Sequence, residues 1–329
     1  MQTAPRLPEI SVAPMMDWTD RDCRYFMRLL SPGVRLYTEM VTARAVLHGP
    51  DERLLSFDPA EHPVALQLGG SVPEELGRAA ALARAHYPYD EINLNVGCPS
   101  DRVQSGRFGA CLMAQPELVA DCVGAISENW PGRVSVKTRI GIDDHDDYPF
   151  LARFVETVSA AGCRHFIVPA RKAMLRGLSP KQNRSVPPLR YPRVWQLAGD
   201  FPGLHIVING GLTDTDLIDE QLERVDGVML GRKAYSDPFF LVRLQNRYLG
   251  GFPGEQPTRA GVLRDMATYA ERRIGQGGRL VHICRHLLGL YAGQPGASRW
   301  RRFMAESSRE RDAGAQILLR SLQLFDQAA

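Results

Sequence analysis

Short apolar runs alternate with longer segments of helical periodicity over about the first 250 residues of the chain. Each run is β-branched or otherwise apolar, as is typical of buried strands. The pattern predicts eight strands, at residues 10–16, 36–41, 64–69, 91–97, 134–140, 165–170, 205–211 and 227–232. Helices are predicted between them, most clearly at Pro73–His86 and Pro116–Asn129, which begin with proline and carry acidic residues in the first turn.

Eight alternating strand–helix units predict an α/β fold, a (β/α)₈ TIM barrel. A doubly wound open sheet is the alternative, but such a sheet seldom needs eight units. The fingerprint G-x-G-x-x-G is also absent after the first predicted strand.

A second domain is predicted at the C-terminal end. The segment 250–258 is rich in glycine and proline, which indicates a linker. No strand pattern follows it, and helices are predicted at 258–275, 280–292 and 298–326. We therefore expect a barrel domain over 1–249 and a small all-helical domain over 250–329.

Composition places the chain among globular proteins. Of its 329 residues, 44% are hydrophobic and 23% charged, and no run of 18 apolar residues predicts a membrane span. The first residues lack the apolar core of a signal peptide. The six cysteines are scattered and form no C-x-x-C pair, so a disulfide scaffold is not expected and a cytoplasmic location is.

The net charge of +3 conceals two basic stretches without any acid. Residues 157–199 hold six Arg and two Lys, and residues 272–305 hold seven Arg. Such concentrated charge indicates a polyanionic partner. The alternative is a pair of solvated basic loops, and charge alone does not decide between them.

Active sites of barrels of this kind lie at the C-terminal ends of the strands, which singles out Gln67, Asn95, Cys98 and Lys137. The chain has 36 Arg and only four Lys, so a lysine within a strand indicates a need for a compact point charge beside an anionic group. The alternative for Lys137 is a side chain that extends from a strand end into solvent.

Cys98 lies between Gly97 and Pro99, in a tightly constrained loop. A cysteine thiol is mostly protonated at pH 7 and can act as a general acid. The alternative is a small buried hydrophobic residue, the commonest role of a free cysteine.

Glycines follow the last two predicted strands, in Asn209-Gly210-Gly211 and Gly231-Arg232. Loops at these two positions of a barrel often bind phosphate through backbone N–H groups. The alternative is that the glycines only end the strands. We expect no metal site: His282 and His286 share a helix face, but several arginines surround them.

Longer motifs resemble those of the tRNA-dihydrouridine synthases, and the last two resemble the bacterial A-type branch of that family. The motifs are APMMDWTD at 13–20, ALQLGG at 65–70, NLNVGCPSDRVQSGRFGACLM at 93–113, KTRIGIDD at 137–144, ARKAMLRGLSPKQNR at 170–184 and PGASRWRRFMAE at 295–306. The resemblance covers nearly the whole chain. The spacing of NVGCP from KTRIG is its most specific part.

The resemblance implies an FMN-bound barrel, a helical tRNA-binding domain, and NADPH-dependent reduction of uridines 20 and 20a in the tRNA D-loop. By motif, Cys98 resembles the proton donor. Flavin contacts are implied for Ala13, Pro14, Met15, Gln67, Lys137, Asn209, Gly210, Gly211, Gly231 and Arg232. Contacts with tRNA are implied for Asn95, Asn183, Arg184, Arg299 and Arg302. The implied state is a monomer with no membrane association and no obligate protein partner.

Two other functions stay open at this point. One is an FMN barrel that acts on a free pyrimidine, as dihydroorotate dehydrogenases do; the arginine-rich C-terminal region argues against a small substrate. The other is a non-catalytic RNA-binding module. One residue departs from the family pattern: Pro169 stands where the family usually has a histidine that contacts flavin, and proline offers no such side-chain group.

Overall fold

Eight parallel strands, β1 to β8, close into a barrel in the computed structural model, which describes residues 7–326. They run Glu9–Val12, Leu36–Thr42, Val64–Gly69, Glu91–Asn95, Arg133–Lys137, His165–Pro169, His205–Asn209 and Gly227–Leu230. The neighbour order is β1-β8-β7-β6-β5-β4-β3-β2. The ring is closed between β1 and the residue before β2: Arg35 donates its N–H to Ile10 (2.9 Å), and its carbonyl accepts from Val12 (2.9 Å).

The predicted TIM barrel and its eight strands are confirmed. Six of the predicted ranges, such as 10–16 and 205–211, run past the observed C-terminal end of the strand. The first residue beyond several strands still donates its N–H to the neighbouring strand, as Ala13 does to Leu230 (2.7 Å) and Val96 to Lys137 (2.8 Å). The residues after it turn into loops at the end of the barrel where the strands finish. That end is called the mouth below, and the opposite end the base.

Helices connect the strands and form the C-terminal region. Within the described residues, α1 to α15 run Arg21–Leu30, Ala43–His48, Asp51–Leu55, Pro73–His86, Asp101–Ser105, Pro116–Asn129, Tyr148–Ala160, Tyr191–Asp200, Thr215–Leu222, Arg232–Ser236, Phe240–Tyr248, Arg259–Gly275, Leu280–Leu287, Ala297–Ser307 and Gln316–Asp326. Both helices with proline at the start, α4 and α6, have the predicted bounds. None of these helices combines the length and the apolar character that crossing a bilayer requires.

The chain divides into two compact units. Among the described residues, the first unit comprises 7–16 and 35–231, and the second comprises 17–34 and 232–326. These ranges do not coincide with 1–249 and 250–329, because α1, α10 and α11 fall in the second unit. The assignment of a flavin-binding and a tRNA-binding role to the two predicted ranges stays a prediction.

In the second unit, one predicted helix is wrong. Residues 298–326 form two helices, α14 and α15, separated by turns over 308–315. Hydrogen bonds of the i→i+3 type, such as Ala313 N–H to the Glu310 carbonyl (3.2 Å), replace the helical pattern there. The intervening Ser308 and Gly314 are weak helix formers. The predicted helix 280–292 also ends early, at Leu287.

Helix α1 has polar partners within the second unit. Asp22 accepts hydrogen bonds from the Tyr269 hydroxyl (2.6 Å) and from Arg273 Nε (3.1 Å). Asp20 caps the helix, and its Oδ2 lies 3.0 Å from His286 Nε2, which also accepts from Arg285 Nε (3.1 Å); the other ring nitrogen of His286 lies 3.1 Å from the Tyr235 hydroxyl. Both ring nitrogens of His286, which shares a helix face with His282, therefore have protein partners.

The barrel interior contains one apolar cluster and is charged at the base. Inward-facing Ala13, Tyr37, Ala65, Ile167, Val207 and Met229 form one buried cluster. At the base, where the strands begin, Glu91 lies 3.5 Å from Arg35 and 3.6 Å from Arg133. Glu9 lies 3.1 Å from Arg133. Two buried carboxylates are thus compensated by two guanidinium groups.

Two imidazoles border Glu9 at the base, with the Nε2 atoms of His165 and His205 at 3.5 Å and 3.4 Å from its carboxylate. The three side chains are close enough to share an ion. However, Arg133 Nη1 lies 3.2 Å from His165 Nδ1, and a guanidinium can only donate. Nδ1 is therefore the acceptor and Nε2 carries the proton, so Nε2 has no lone pair for a metal.

Glu9→Gln should lower the free energy of unfolding at pH 7 by more than the loss of an exposed ion pair does, because Arg133 loses the nearer of its two carboxylates. Burial raises the pKa of Glu9, but contacts with His165 and His205 and the charge of Arg35 outweigh it and hold the pKa well below its usual 4.5. This stabilisation is complete above pH 4.5 and declines as the pH falls below it. Urea unfolding at pH 7, 5 and 4 measures the difference.

Glu117→Gln is the matched control, because Glu117 pairs with Arg153 on the exposed surface at 3.1 Å. It should change the free energy of unfolding little at any of these pH values. Equal effects of the two substitutions would contradict the role given to the base.

Candidate active site

The predicted barrel residues meet at one end because parallel strands all finish there. Ala13, Pro14 and Met15 follow β1, Gln67 lies on β3, Asn95 ends β4 and Lys137 ends β5. Asn209 ends β7, with Gly210 and Gly211 after it, and Gly231 follows β8. The structure therefore gathers these positions at the mouth. Arg232 begins α10 in the second unit.

The loop that carries Cys98 is held by its own strand end. Asn95 Oδ1 accepts hydrogen bonds from the backbone N–H groups of Gly97 (3.2 Å) and Cys98 (3.0 Å). On the other side, Ala110 donates its N–H to the Cys98 carbonyl (2.9 Å). The preceding Gly109 has φ +78°, and a Cβ there would lie 2.5 Å from that carbonyl, so only glycine fits.

The thiol of Cys98 is half-buried and lies 3.5 Å from the Ser100 hydroxyl. Four other cysteines are fully buried. Cys111 is also half-buried, but its Sγ is 3.2 Å from the Phe108 carbonyl and it does not lie at a strand end. Cys98 is therefore the accessible thiol that the barrel places at the mouth.

Lys137 ends β5 at the mouth, and Asn95 is its register partner on β4. None of the described residues forms a hydrogen bond or ion pair with its ammonium group. Burial, and then the charge of Arg139, lower the pKa of Lys137 to about 7, although a thiolate at Cys98 would raise it. An uncompensated amine in this position favours an anionic ligand.

Two consecutive glycines shape the loop after β7. Gly210 has φ +119° and Gly211 φ +73°, conformations that other residues rarely adopt. The loop is tied down by Asn209 Nδ2, which donates to the Met229 carbonyl (2.6 Å), and by the Tyr191 hydroxyl, which donates to the Gly210 carbonyl (2.7 Å). Backbone without side chains is thereby presented at the position where barrels often bind phosphate.

A Cβ placed on Gly231, between the ends of β8 and β1, would make ordinary van der Waals contacts, 3.7 Å from Met15 Sδ and 3.8 Å from Ala13 Cβ. Pro169, at the end of β6, is buried and is the register partner of Asn209. The mouth therefore combines the amine of Lys137 with a glycine loop, which suit an anionic molecule with a phosphate.

The predicted tRNA contacts fall in different surroundings. Arg184 is exposed in the loop after β6, and Arg299 and Arg302 are exposed on α14. Asn183 is fully buried: its Oδ1 accepts from Met174 N–H (2.7 Å), and its Nδ2 donates to the Met174 carbonyl (2.9 Å). Asn183 thus holds the loop that presents Arg184, a placement that does not favour a direct contact with tRNA, which stays a prediction.

The basic stretch around Asn183 is only partly neutralised. Asp146 pairs with Lys172 (3.1 Å) and Arg190 (3.2 Å). Arg176 and Lys181 are exposed like Arg184. A cationic surface therefore borders the mouth on the β6 side.

Sequence reasoning missed three buried polar residues of the barrel interior, and Arg139, which it placed on the fifth strand, is buried as well. Glu91, Asn93 and Ser135 share the barrel interior with Gln67, and none is more than 1% exposed. Arg139 lies behind Cys98 and donates from Nε to the Gly97 carbonyl (3.0 Å). Burial lowers the pKa of Arg139 to about 10, with Arg184 and Arg171 contributing, against the opposing effect of a Cys98 thiolate.

A signal for two of them, Glu91 and Asn93, was present in the sequence. Glu91, Asn93 and Asn95 alternate with the apolar Ile92 and Leu94. In a buried barrel strand, this alternation turns a row of polar side chains inward. Chemically, the assembled site offers a proton on a thiol, an amine beside it and fixed amides.

Comparisons with known proteins agree on one family. A model of the dihydrouridine synthase (Dus) family matches residues 11–328. The chain is 54% identical over 308 residues to a tRNA-dihydrouridine(20/20a) synthase of Shewanella oneidensis, covering 94% of this chain and 91% of that protein. It is 53% identical over 315 residues to the enzyme of that name from Escherichia coli, covering 95% and 90%.

Solved structures resemble this one in fold alone. An old yellow enzyme homologue from Zymomonas mobilis has a TM-score of 0.50 at 12% identity, covering 77% of this chain and 92% of that one. Morphinone reductase in complex with tetrahydroNAD has a TM-score of 0.50 at 11% identity, covering 77% and 90%.

Lys137 should react with an amine-acylating reagent with a midpoint near pH 7, because its pKa of about 7 leaves much of the amine neutral there. A lysine model compound, with its usual pKa of 10.5, is the reference. Mass spectrometry of the Lys137 peptide after brief labelling between pH 6 and 10 measures the profile. An anionic ligand at the mouth should shift the midpoint upward. A midpoint above about pH 9 without ligand would contradict the assignment.

Proposed function

Because the chain belongs to the dihydrouridine synthase family, we propose that it reduces uridines 20 and 20a in the D-loop of tRNA to 5,6-dihydrouridine, with FMN as bound cofactor and NADPH as reductant. The observation that carries the proposal is the pairing, at one barrel mouth, of the half-buried Cys98 thiol with the unpartnered amine of Lys137.

The residues at the mouth fit FMN. Lys137 supplies a positive charge for the anionic ring, and Gln67 and Asn209 supply amides. Gly210, Gly211 and Gly231 leave room for the phosphate and the ring, with Arg232 as a further cation for the phosphate. Ala13, Pro14 and Met15 form the adjoining wall. When bound and reduced, the flavin supplies a hydride for C6 of uracil.

Cys98 supplies the complementary proton. Hydride addition at C6 of a uracil conjugated with its C4 carbonyl leaves negative charge at C5 and O4, and C5 then takes a proton. Asn95 holds the Cys98 backbone, so the thiol stays fixed while it donates. Donation leaves a thiolate, which the nearby Lys137 and Arg139 charges stabilise until solvent returns the proton.

The target base must leave its stack before it can enter the mouth, and loop uridines are the cheapest to unstack. Arg184 extends from the exposed loop beside the mouth, and Arg299 and Arg302 extend from α14. Guanidinium groups of this kind bind phosphates of the RNA backbone. We assign to them the orientation of tRNA, and to Asn95 the contact with the uracil edge.

Cys98→Ala should retain flavin and tRNA and lose most product formation, because loss of a general acid typically costs roughly 10²–10⁴-fold in rate. Single-turnover oxidation of the reduced enzyme by tRNA measures the step. Cys111→Ala is the matched control, since it removes the other half-buried thiol, and it should keep the wild-type rate. A Cys98→Ala rate within a factor of about three of wild type would remove Cys98 from the mechanism.

Arg299→Ala with Arg302→Ala should weaken tRNA binding and reduce its salt dependence, while flavin reduction by NADPH stays unchanged. Two lost phosphate contacts should lower the slope of log affinity against log salt by about 1.4 to 1.8. The control is Arg78→Ala with Arg84→Ala, two exposed arginines on α4 outside the acid-free stretches. If both double variants have the same slope as wild type, α14 does not bind the RNA backbone.

A further inference from the structure

A row of hydrogen bonds crosses the barrel interior from base to mouth. It begins at Glu91, whose Oε1 accepts from the Ser135 hydroxyl (2.5 Å). The Ser135 oxygen accepts in turn from Asn93 Nδ2 (2.7 Å). Asn93 Oδ1 then accepts from Gln67 Nε2 (2.7 Å). Three links thus connect a carboxylate at the base with an amide near the mouth.

The row continues to the backbone of the candidate proton donor. Gln67 Oε1 accepts from Asn95 Nδ2 (3.0 Å). Asn95 Oδ1 accepts from the N–H groups of Gly97 and Cys98. We call the five side chains from Glu91 to Asn95 in this order the interior chain.

The two ends of the interior chain give it one direction. A carboxylate only accepts hydrogen bonds and a backbone N–H only donates. Glu91 is paired with Arg35 and Arg133, and it also accepts from the Tyr37 hydroxyl (2.9 Å). Ser135 must therefore donate to Glu91, which leaves its oxygen to accept from Asn93. Each amide beyond has a single orientation that satisfies both of its neighbours.

Burial makes the wrong orientations costly. Glu91, Asn93 and Ser135 are 0% exposed and Gln67 is 1% exposed, so water does not replace a lost partner. A reversed Gln67 amide would place its oxygen against Asn93 Oδ1 and its nitrogen against Asn95 Nδ2. The sense of every amide is thus set from both ends, by the Glu91 carboxylate at the base and by the backbone N–H groups of Gly97 and Cys98 at the mouth.

We propose that Glu91, Ser135 and Asn93 are positioning residues, which anchor the Gln67 and Asn95 amides from the base and thereby hold the backbone of Cys98 in place. The effect on the Cys98 loop needs no ligand. The accompanying effect on flavin, through Gln67, rests on the proposed function.

Ser135→Ala tests the proposal at a side chain that is separated from Asn95 by two amides, those of Asn93 and Gln67. It removes one hydroxyl, leaves Asn93 Nδ2 without an acceptor and so releases Asn93, Gln67 and Asn95 from their anchor at the base. The loosened Cys98 loop should then react with iodoacetamide about threefold to tenfold faster at pH 7. Quantifying the alkylated Cys98 peptide by mass spectrometry in the full-length protein gives the rate.

Ser11→Ala is the matched control. Ser11 is also a fully buried strand serine, but its hydroxyl bonds only to the Val228 carbonyl (3.4 Å). It should leave the Cys98 rate unchanged even if it lowers the melting temperature as much as Ser135→Ala does. Ser135→Thr keeps the hydroxyl and should restore a rate close to wild type.

The Asn95→Ala background distinguishes positioning from general loosening. If Ser135 acts through Asn95, then Ser135→Ala should accelerate alkylation in the wild-type protein and have no further effect once Asn95 is alanine. An equal acceleration in both backgrounds would overturn the proposal, as would a rate equal to that of Ser11→Ala. Asn93→Ala breaks the next link and should reproduce the result if Ser135→Ala fails to fold.

The flavin arm separates this proposal from the proposed function. In the holoenzyme, Ser135→Ala should also shift the visible absorption of bound flavin, because the Gln67 amide is no longer anchored at the base. A wild-type protein that binds no flavin would contradict the proposed function and leave the alkylation result standing. A normal flavin spectrum together with an unchanged alkylation rate would overturn the role of the interior chain.

Discussion

The compensation of one fully buried carboxylate organises the barrel interior. Glu91 has no access to water, so its charge and its lone pairs must be met by protein groups. Arg35 and Arg133 supply charge, and the hydroxyls of Tyr37 and Ser135 supply protons. The Ser135 hydroxyl and the amides of Asn93, Gln67 and Asn95 each donate one hydrogen bond and accept another. Their hydrogen bonds therefore all run in the same direction across β3, β4 and β5. The polar groups of the interior share one hydrogen-bond direction because their row ends at this carboxylate.

The two ends of the barrel treat charge differently. At the base, Glu9 and Glu91 are matched by arginines, which favours stability. At the mouth, Lys137 has no acidic partner among residues 7–326, and its pKa is lowered to about 7 by burial first and by Arg139 second. A buried amine without a counter-charge destabilises the ligand-free protein, and an anionic ligand removes that destabilisation. At the base of the barrel, buried charges are paired and stabilise the fold. At the mouth, the charge of Lys137 is unpaired and favours an anionic ligand.

The strands and the helices α4 and α6 could be predicted because local signals agree with the fold: apolar runs, proline at the helix start and acids in the first turn. Strand ends were overestimated where Pro14 or Gly210 turns into a loop, since composition does not reveal where pairing stops. Cys98 and Lys137 were found from their place at strand ends. Asn93 and Ser135 were missed because their importance lies in cross-strand partners that only the register brings together. The extent of the second unit was missed for the same reason: the partners of α1 are about 250 residues away.

Membership of α1 in the second unit has a consequence for synthesis of the chain. Asp22 bonds to Tyr269 and Arg273, which lie 247 and 251 residues further on. At typical elongation rates of about 5–20 residues per second, α1 leaves the ribosome roughly 10–50 s before those partners exist. During that interval its apolar side chains, among them Phe26, Met27 and Leu30, have no completed unit to cover them. A chaperone or the ribosome surface has its longest opportunity to bind this protein at its first helix.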